Sequence, residues 1–134
     1  MKILIADDDA MTRKVLKRHL EVYGDCDLVP NGQIALDLFQ QSQDERKPYD
    51  LVFLDIMMPE MLGSEVLDRI RKIEEEVGIE VGYGVDVVMS SSLKDTDTVL
   101  SAFVKGCEYF LVKPINKDRI HEVIAEMGYL RKEE

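Results

Sequence analysis

Short apolar runs alternate five times with longer amphipathic stretches, and this alternation limits the possible folds of the chain more than any other feature. The short runs are residues 3–6, 26–29, 51–54, 85–89 and 109–112. Each has the length of a strand, and several are rich in valine and isoleucine, whose branched side chains suit a pleated surface. Between them the apolar residues recur at near-helical spacing. They are Met11, Val15, Leu16 and Leu20 within 10–23, Ile34, Ala35, Leu38 and Phe39 within 33–43, and Val66, Leu67, Ile70 and Ile73 within 64–76. Val99, Ala102 and Phe103 within 95–105, and Ile120, Val123, Ile124 and Met127 within 117–130, complete the set. A strand–helix repeat of this kind implies parallel strands joined by right-handed crossovers. Near-continuous apolar strands fit a sheet covered on both faces. The expected fold is α/β, a doubly wound five-stranded parallel sheet with five helices.

With 134 residues the chain suits one domain, 1–134, since domains typically hold about 100–150 residues. A hydrophobic content of 46% excludes a wholly disordered chain. The net charge of −10 disfavours direct nucleic-acid binding, which needs a basic footprint. No apolar run approaches the ~20 residues of a membrane span, and the N-terminal run is too short for a secretory signal, so a cytoplasmic location is expected. Cys26 and Cys107 lie in no metal-ligand spacing. Segment 77–84 carries three glycines at the amino ends of the strands and is expected to be functionally neutral. Glu74, Glu75 and Glu76 are expected to be solvated.

In a doubly wound sheet, ligands bind outside the carboxyl ends of the strands. Asp7-Asp8-Asp9 follows the first run, and Asp55 follows the third and leads into Ile56-Met57-Met58-Pro59. Ser90-Ser91-Ser92 follows the fourth, and Lys113-Pro114 the fifth. The second run meets only a turn, Pro30-Asn31-Gly32, as suits an edge strand. Each of these residues alone is ordinary. An aspartate after a strand caps a helix or shapes a turn, and Asp9 is expected to cap the first helix. Gathered on one edge, several carboxylates repel one another and must protonate or bind a cation. Oxygen ligands without histidine or thiolate favour a hard ion, and Mg²⁺ fits best. A lysine and a hydroxyl beside an Mg²⁺-bound carboxylate suit a transferring phosphoryl group. The carboxylate can then act as nucleophile and form an acyl phosphate.

These motifs resemble the receiver domain of bacterial two-component response regulators over essentially the whole chain. The resemblance rests on residues 3–9, residues 51–59, the serine run, Gly106 and Tyr109-Phe110-Leu111-Val112-Lys113-Pro114. It implies a flavodoxin-like sheet in the order 2-1-3-4-5, as in stand-alone chemotaxis-type regulators. It implies Asp55 as phosphoacceptor, Asp8 as direct Mg²⁺ ligand, Asp7 as ligand through a water, and the backbone carbonyl of Met57 as a third protein ligand. Lys113 resembles the lysine that pairs with the phosphoryl group, and Pro114 the proline after a cis peptide. The family's switch hydroxyl lies 22 positions before the lysine and 15 before the glycine, which selects Ser91 over Ser90. Phe110 stands where an aromatic partner of the switch, often tyrosine, is found.

The resemblance also implies partners and a mode of action. The donor is a sensor histidine kinase or a phosphotransfer protein, and the output is contact with a downstream protein, with homodimerisation on phosphorylation. Beyond self-phosphorylation from small donors and weak autophosphatase activity, no enzymatic role is expected. Arg13, Lys14 and Lys17 on the first helix form a candidate kinase-docking face, where charge would steer encounter. Leu100 and Val104 on the fourth helix are either part of a broad buried stripe or an output face with Phe110. Met57 and Leu93 are apolar where the family often has polar groups that position hydrolytic water, so slow autodephosphorylation is expected. The alternative is an Mg²⁺-dependent phosphohydrolase with an aspartyl nucleophile, for which Asp7-Asp8-Asp9 offers the D-x-D pattern. It leaves Asp55 without a role.

Overall fold

The computed structural model describes residues 1–92 and 96–131. Leu93 and Asp95 lie outside the described residues, so the expectations resting on them have no counterpart there. The elements alternate as β1(Lys2–Ala6), α1(Ala10–Leu20), β2(Asp25–Val29), α2(Gly32–Asp44), β3(Leu51–Asp55), α3(Gly63–Glu76), β4(Asp86–Ser91), α4(Thr96–Val104), β5(Tyr109–Val112) and α5(Lys117–Glu126). All strand pairs are parallel, in the order β2-β1-β3-β4-β5. The doubly wound α/β fold expected from the alternation is therefore present, with β2 at one edge.

Alternation along the strands divides the core in two. Leu4, Ala6, Val52, Leu54, Val87 and Met89 face one layer and pack with residues of α2, α3 and α4. Ile3, Ile5, Leu51, Phe53, Val88 and Leu111 face the other and pack with Leu16 and Leu20 of α1 and Ile120, Val123 and Ile124 of α5. Both faces are covered, which explains why β3 is buried along its whole length.

The starts of α1, α2 and α5 are set by side-chain caps. Asp9 accepts from Met11 N–H, Asn31 from Ile34 N–H, and Asn116 from Asp118 and Arg119 N–H. Two helices stop earlier than their apolar periodicity suggested. α1 ends at Leu20, and Gly24 beyond it packs so closely on Met1 that no side chain would fit. α5 ends at Glu126, because Gly128 takes φ +88° and its N–H turns back to Ala125.

Several residues of the expected stripes are exposed. Val15 lies one residue before the buried Leu16, about 100° around the helix, and Met11 lies one turn before Val15, so both face solvent. Ile34 and Phe103 are exposed as well. On α4, Ala102 is the buried hydrophobic, whereas Leu100 and Val104 are 56% and 86% exposed. The broad buried stripe is thus excluded for that pair.

Candidate functional site

Four strand ends converge at the carboxyl edge of the sheet. β1 stops at Ala6, but the Asp7 N–H still reaches Val29 O at 3.2 Å, which holds Asp7 at the strand end. The Asp7 side chain is 1% exposed. Its Oδ1 accepts from Asp9 N–H at 2.9 Å, and its Oδ2 accepts from Lys113 Nζ at 2.9 Å. Asp8 is exposed at the mouth of the cleft. Asp9 is the α1 cap, as expected, and adds a bond from Thr12 Oγ1.

Asp55 is the last residue of β3 and is 3% exposed. Its Oδ2 lies 3.2 Å from Lys113 Nζ, and Met57 N–H approaches its Oδ1 at 3.3 Å. One carboxylate oxygen from each of Asp7, Asp8 and Asp55 lies within 4.8 Å of the others. Burial, followed by the negative charge of Asp7, raises the Asp55 carboxyl to about 6, although Lys113 opposes the rise. Burial works against the Lys113 ammonium, but the hydrogen bond to Asp7 and the charges of Asp55 and Asp7 raise its pKa overall. The Lys113–Pro114 peptide is cis, and Lys113 N–H donates to Ser91 O at 2.9 Å.

One ammonium cannot balance three carboxylates. The donors are all oxygen, with a buried side and one exposed carboxylate at the entrance. This set fits a hard divalent cation that keeps part of its water, and so fits Mg²⁺.

The serines are part of the strand rather than its sequel. β4 runs through both Ser90 and Ser91, and both are buried. Ser90 is in register with Asp55, Ser91 with Val112, and Met89 with Phe110. Parity along β4 puts Ser91 on the face of Val87 and Met89, where the half-buried Phe110 also packs. Ser90 shares the opposite face with Val88 and Leu111.

The other residues singled out in the sequence divide. Met57 is 52% exposed beside Asp55. Lys14 and Lys17 are exposed on α1, and Leu100 and Val104 on α4. Arg13 departs from that pattern. Its guanidinium turns to the site and donates to the Asp7 backbone carbonyl at 2.6 Å.

One support of the site and one contact remote from it could not be read from the sequence. Gly63, the first residue of α3, has its N–H on Ile56 O, and a Cβ there would stand 2.2 Å from the Asp55 carbonyl oxygen. Its signal was a glycine four residues after Pro59, readable as a turn but not as a close contact. Glu74 is 4% exposed, which corrects the expectation that it is solvated. It accepts from Val85 N–H and from Arg71, and Arg71 also donates to Val85 O, Gly106 O and Glu108. This clasp closes segment 77–84 onto α3 and borders a groove of about 700 Å³ at the amino ends of the strands, remote from Asp55.

Comparison with known proteins agrees with this geometry. Residues 3–125 match the family described as the response regulator receiver domain. The chain is 34% identical over 139 residues to the 3',5'-cyclic-nucleotide phosphodiesterase regA of Dictyostelium discoideum. That match covers 100% of this chain but only 16% of the relative's length. The chemotaxis protein CheY of Listeria monocytogenes is 33% identical over 126 residues, covering 94% of this chain and 97% of CheY. Among solved structures, the CheX-CheY-BeF3-Mg complex of Borrelia burgdorferi superposes with a TM-score of 0.78 at 25% identity, covering 95% of this chain and 89% of that one. Among the described residues, no helix is long and apolar enough to cross a membrane.

Proposed function

Because the chain belongs to the response regulator receiver domain family, we propose that it is a phosphorylation-dependent signalling switch with Asp55 as phosphoacceptor. One observation carries this: Lys113 bridges the buried carboxylates of Asp7 and Asp55, and the oxygens of Asp7, Asp8 and Asp55 gather at the same strand ends. With a pKa of about 6, Asp55 is mostly ionised at neutral pH and therefore nucleophilic. Its oxygen attacks the phosphorus of a phosphohistidine on a sensor kinase or phosphotransfer protein. The P–N bond breaks, its electron pair stays on the imidazole nitrogen, and an acyl phosphate forms. Asp8, Asp55 and the Met57 carbonyl would hold Mg²⁺, and Asp7 would act through a bound water. Mg²⁺, when bound, supplies charge neutralisation at the phosphoryl oxygens. Lys113 would exchange its carboxylate contacts for the incoming group.

Ser91 is the switch hydroxyl in this scheme, favoured over Ser90 because it shares a sheet face with Phe110. Movement of Ser91 towards the phosphoryl group would free space for Phe110 and alter the surface of α4, β5 and α5. Exposed Leu100 and Val104 suit an output contact there, with a downstream protein or a second copy. Lys14 and Lys17 suit the donor's docking face. The exposed, apolar Met57 favours slow hydrolysis of the acyl phosphate. We take residues 1–134 as one cytoplasmic receiver domain with no direct nucleic-acid contact. The phosphohydrolase alternative has less support, since it leaves the buried Asp55 without a role and Asp9, the second aspartate of the D-x-D pattern, is taken up in capping α1.

The test is intact mass after incubation with Mg²⁺ and acetyl phosphate, beside Asp55→Asn. A single adduct that is absent from the variant and outlasts removal of the donor is expected. Rapid decay would remove the inference drawn from Met57. An adduct persisting in the variant would move the nucleophile to Asp7 or Asp8 and overturn the assignment.

A further inference from the structure

We propose that Arg13 is a positioning residue of the cation site. By holding the Asp7–Asp8 peptide, it fixes where the Asp8 carboxylate stands. The proposal rests on the assignment of Asp7, Asp8 and Asp55 to Mg²⁺ made above.

Asp7 is held at every polar atom. Its N–H donates to Val29 O, its Oδ1 accepts from Asp9 N–H, its Oδ2 accepts from Lys113, and its carbonyl accepts from Arg13 Nη1 at 2.6 Å. Asp8 is exposed, and no hydrogen bond or ion pair of its side chain is found among the described residues. Its placement therefore depends on the backbone. The carbonyl that Arg13 grips belongs to the peptide joining Asp7 to Asp8, and a planar peptide carries the next Cα with it. A guanidinium fixed on that oxygen, with the Asp7 N–H tied to β2, leaves Asp8 little freedom. Arg13 reaches the peptide from the first turn of α1, six residues on, and its half-buried side chain is turned inward while Lys14 and Lys17 face solvent.

The sign of the effect separates positioning from simple charge. Arg13 is permanently cationic, and a cation beside a cation site weakens metal binding. If charge were all, its removal would tighten Mg²⁺ binding. If Arg13 places Asp8, its removal loosens binding, and groups that hold metal ligands in position are typically worth about 10–100-fold in affinity.

The experiment is calorimetric titration of chelator-treated protein with MgCl₂ at fixed ionic strength. It compares wild type, Arg13→Gln, Arg13→Lys and the remote control Arg69→Gln, with folding checked by circular dichroism. The expected result is a Kd raised about tenfold in Arg13→Gln, raised less in Arg13→Lys, and unchanged in Arg69→Gln. A Kd in Arg13→Gln equal to or below that of wild type overturns the proposal. If Arg13→Gln does not fold, Arg13→Lys decides, because it keeps the charge and loses the planar grip. A wild-type Kd there would likewise overturn it. Wild-type protein that binds no Mg²⁺ would overturn the functional assignment itself, and this proposal with it.

Discussion

Asp55 places a burden on the fold that can be measured without any phosphoryl donor. Its carboxyl is raised from 3.8 to about 6, by burial first and by Asp7 second, with Lys113 offsetting part of the effect. A carboxyl raised in the folded state favours the native protein while protonated. That contribution is complete below a pH of about 3.8 and is lost as pH rises through about 6. At ~1.4 kcal/mol for each pH unit, the ionised group costs the metal-free protein up to about 3 kcal/mol at pH 7.5. Asp55 is buried but borders the exposed Asp8, where solvent screens part of the charge, so a measured cost of about 1–3 kcal/mol is expected.

Asp55→Asn removes the charge and keeps the shape. In chelator, at pH 7.5, the variant should therefore be more stable than wild type by about 1–3 kcal/mol. The gain should shrink to a small fraction by pH 4, where wild-type Asp55 is protonated in the folded state and already partly protonated in the unfolded chain. Urea unfolding followed by far-ultraviolet circular dichroism suits a chain with no tryptophan. Mg²⁺ should then stabilise wild type more than the variant, because a ligand stabilises the state that binds it. Equal or lower stability of the variant at pH 7.5, or a gain that persists unchanged at pH 4, would refute the claim that burial and Asp7 burden Asp55.

Four other outcomes follow from single contacts. Gly63→Ala sets a methyl 2.2 Å from the Asp55 carbonyl and should lower stability by about 1–3 kcal/mol, read from the urea midpoint, while slowing adduct formation with acetyl phosphate. Ser91→Ala should still take the phosphoryl group but lose the accompanying change in the Phe110 ring signals by NMR, whereas Ser90→Ala should retain it. Glu74→Ala leaves Val85 N–H and Arg71 without their carboxylate and should cost about 2–3 kcal/mol in urea unfolding. The pKa of His121 is lowered, by burial first and then by the charges of Arg131 and His19. The stability it contributes is complete above 6.5 and lost as pH falls through its folded value, so His121→Asn should flatten the decline in midpoint between pH 7.5 and 5.5.

The chemistry of the site was legible because the topology leaves little choice. In a parallel sheet every strand delivers its last residue to the same edge, so Asp7, Asp55, the serines and Lys113 had to meet once the alternation was read. The extent of β4 was less legible. Ser90 and Ser91 are small and polar and read as a loop, yet both lie in the strand, buried and paired with β3 and β5. The apolar pair Leu100 and Val104 was ambiguous for a different reason. Periodicity locates a helix face but not what covers it, and among the described residues of α4 it is Ala102 that meets the core.

The supports that escaped notice act on backbone atoms brought near only by folding. Arg13 grips the carbonyl of Asp7, Gly63 gives room to the carbonyl of Asp55, and Arg71 reaches the carbonyls of Val85 and Gly106. Every residue carries a carbonyl, so no letter in the sequence marks the one that will be used. A basic residue on an amphipathic helix then reads as a solvated charge, and a glycine reads as a turn. Two of these three contacts fall on Asp7, just beyond β1, and Asp55, at the end of β3, where the proposed switch would need a fixed backbone. If the site works as proposed, rigidity of the main chain under Asp7 and Asp55 would let Lys113 trade a carboxylate for a phosphoryl group without the site collapsing around the loss.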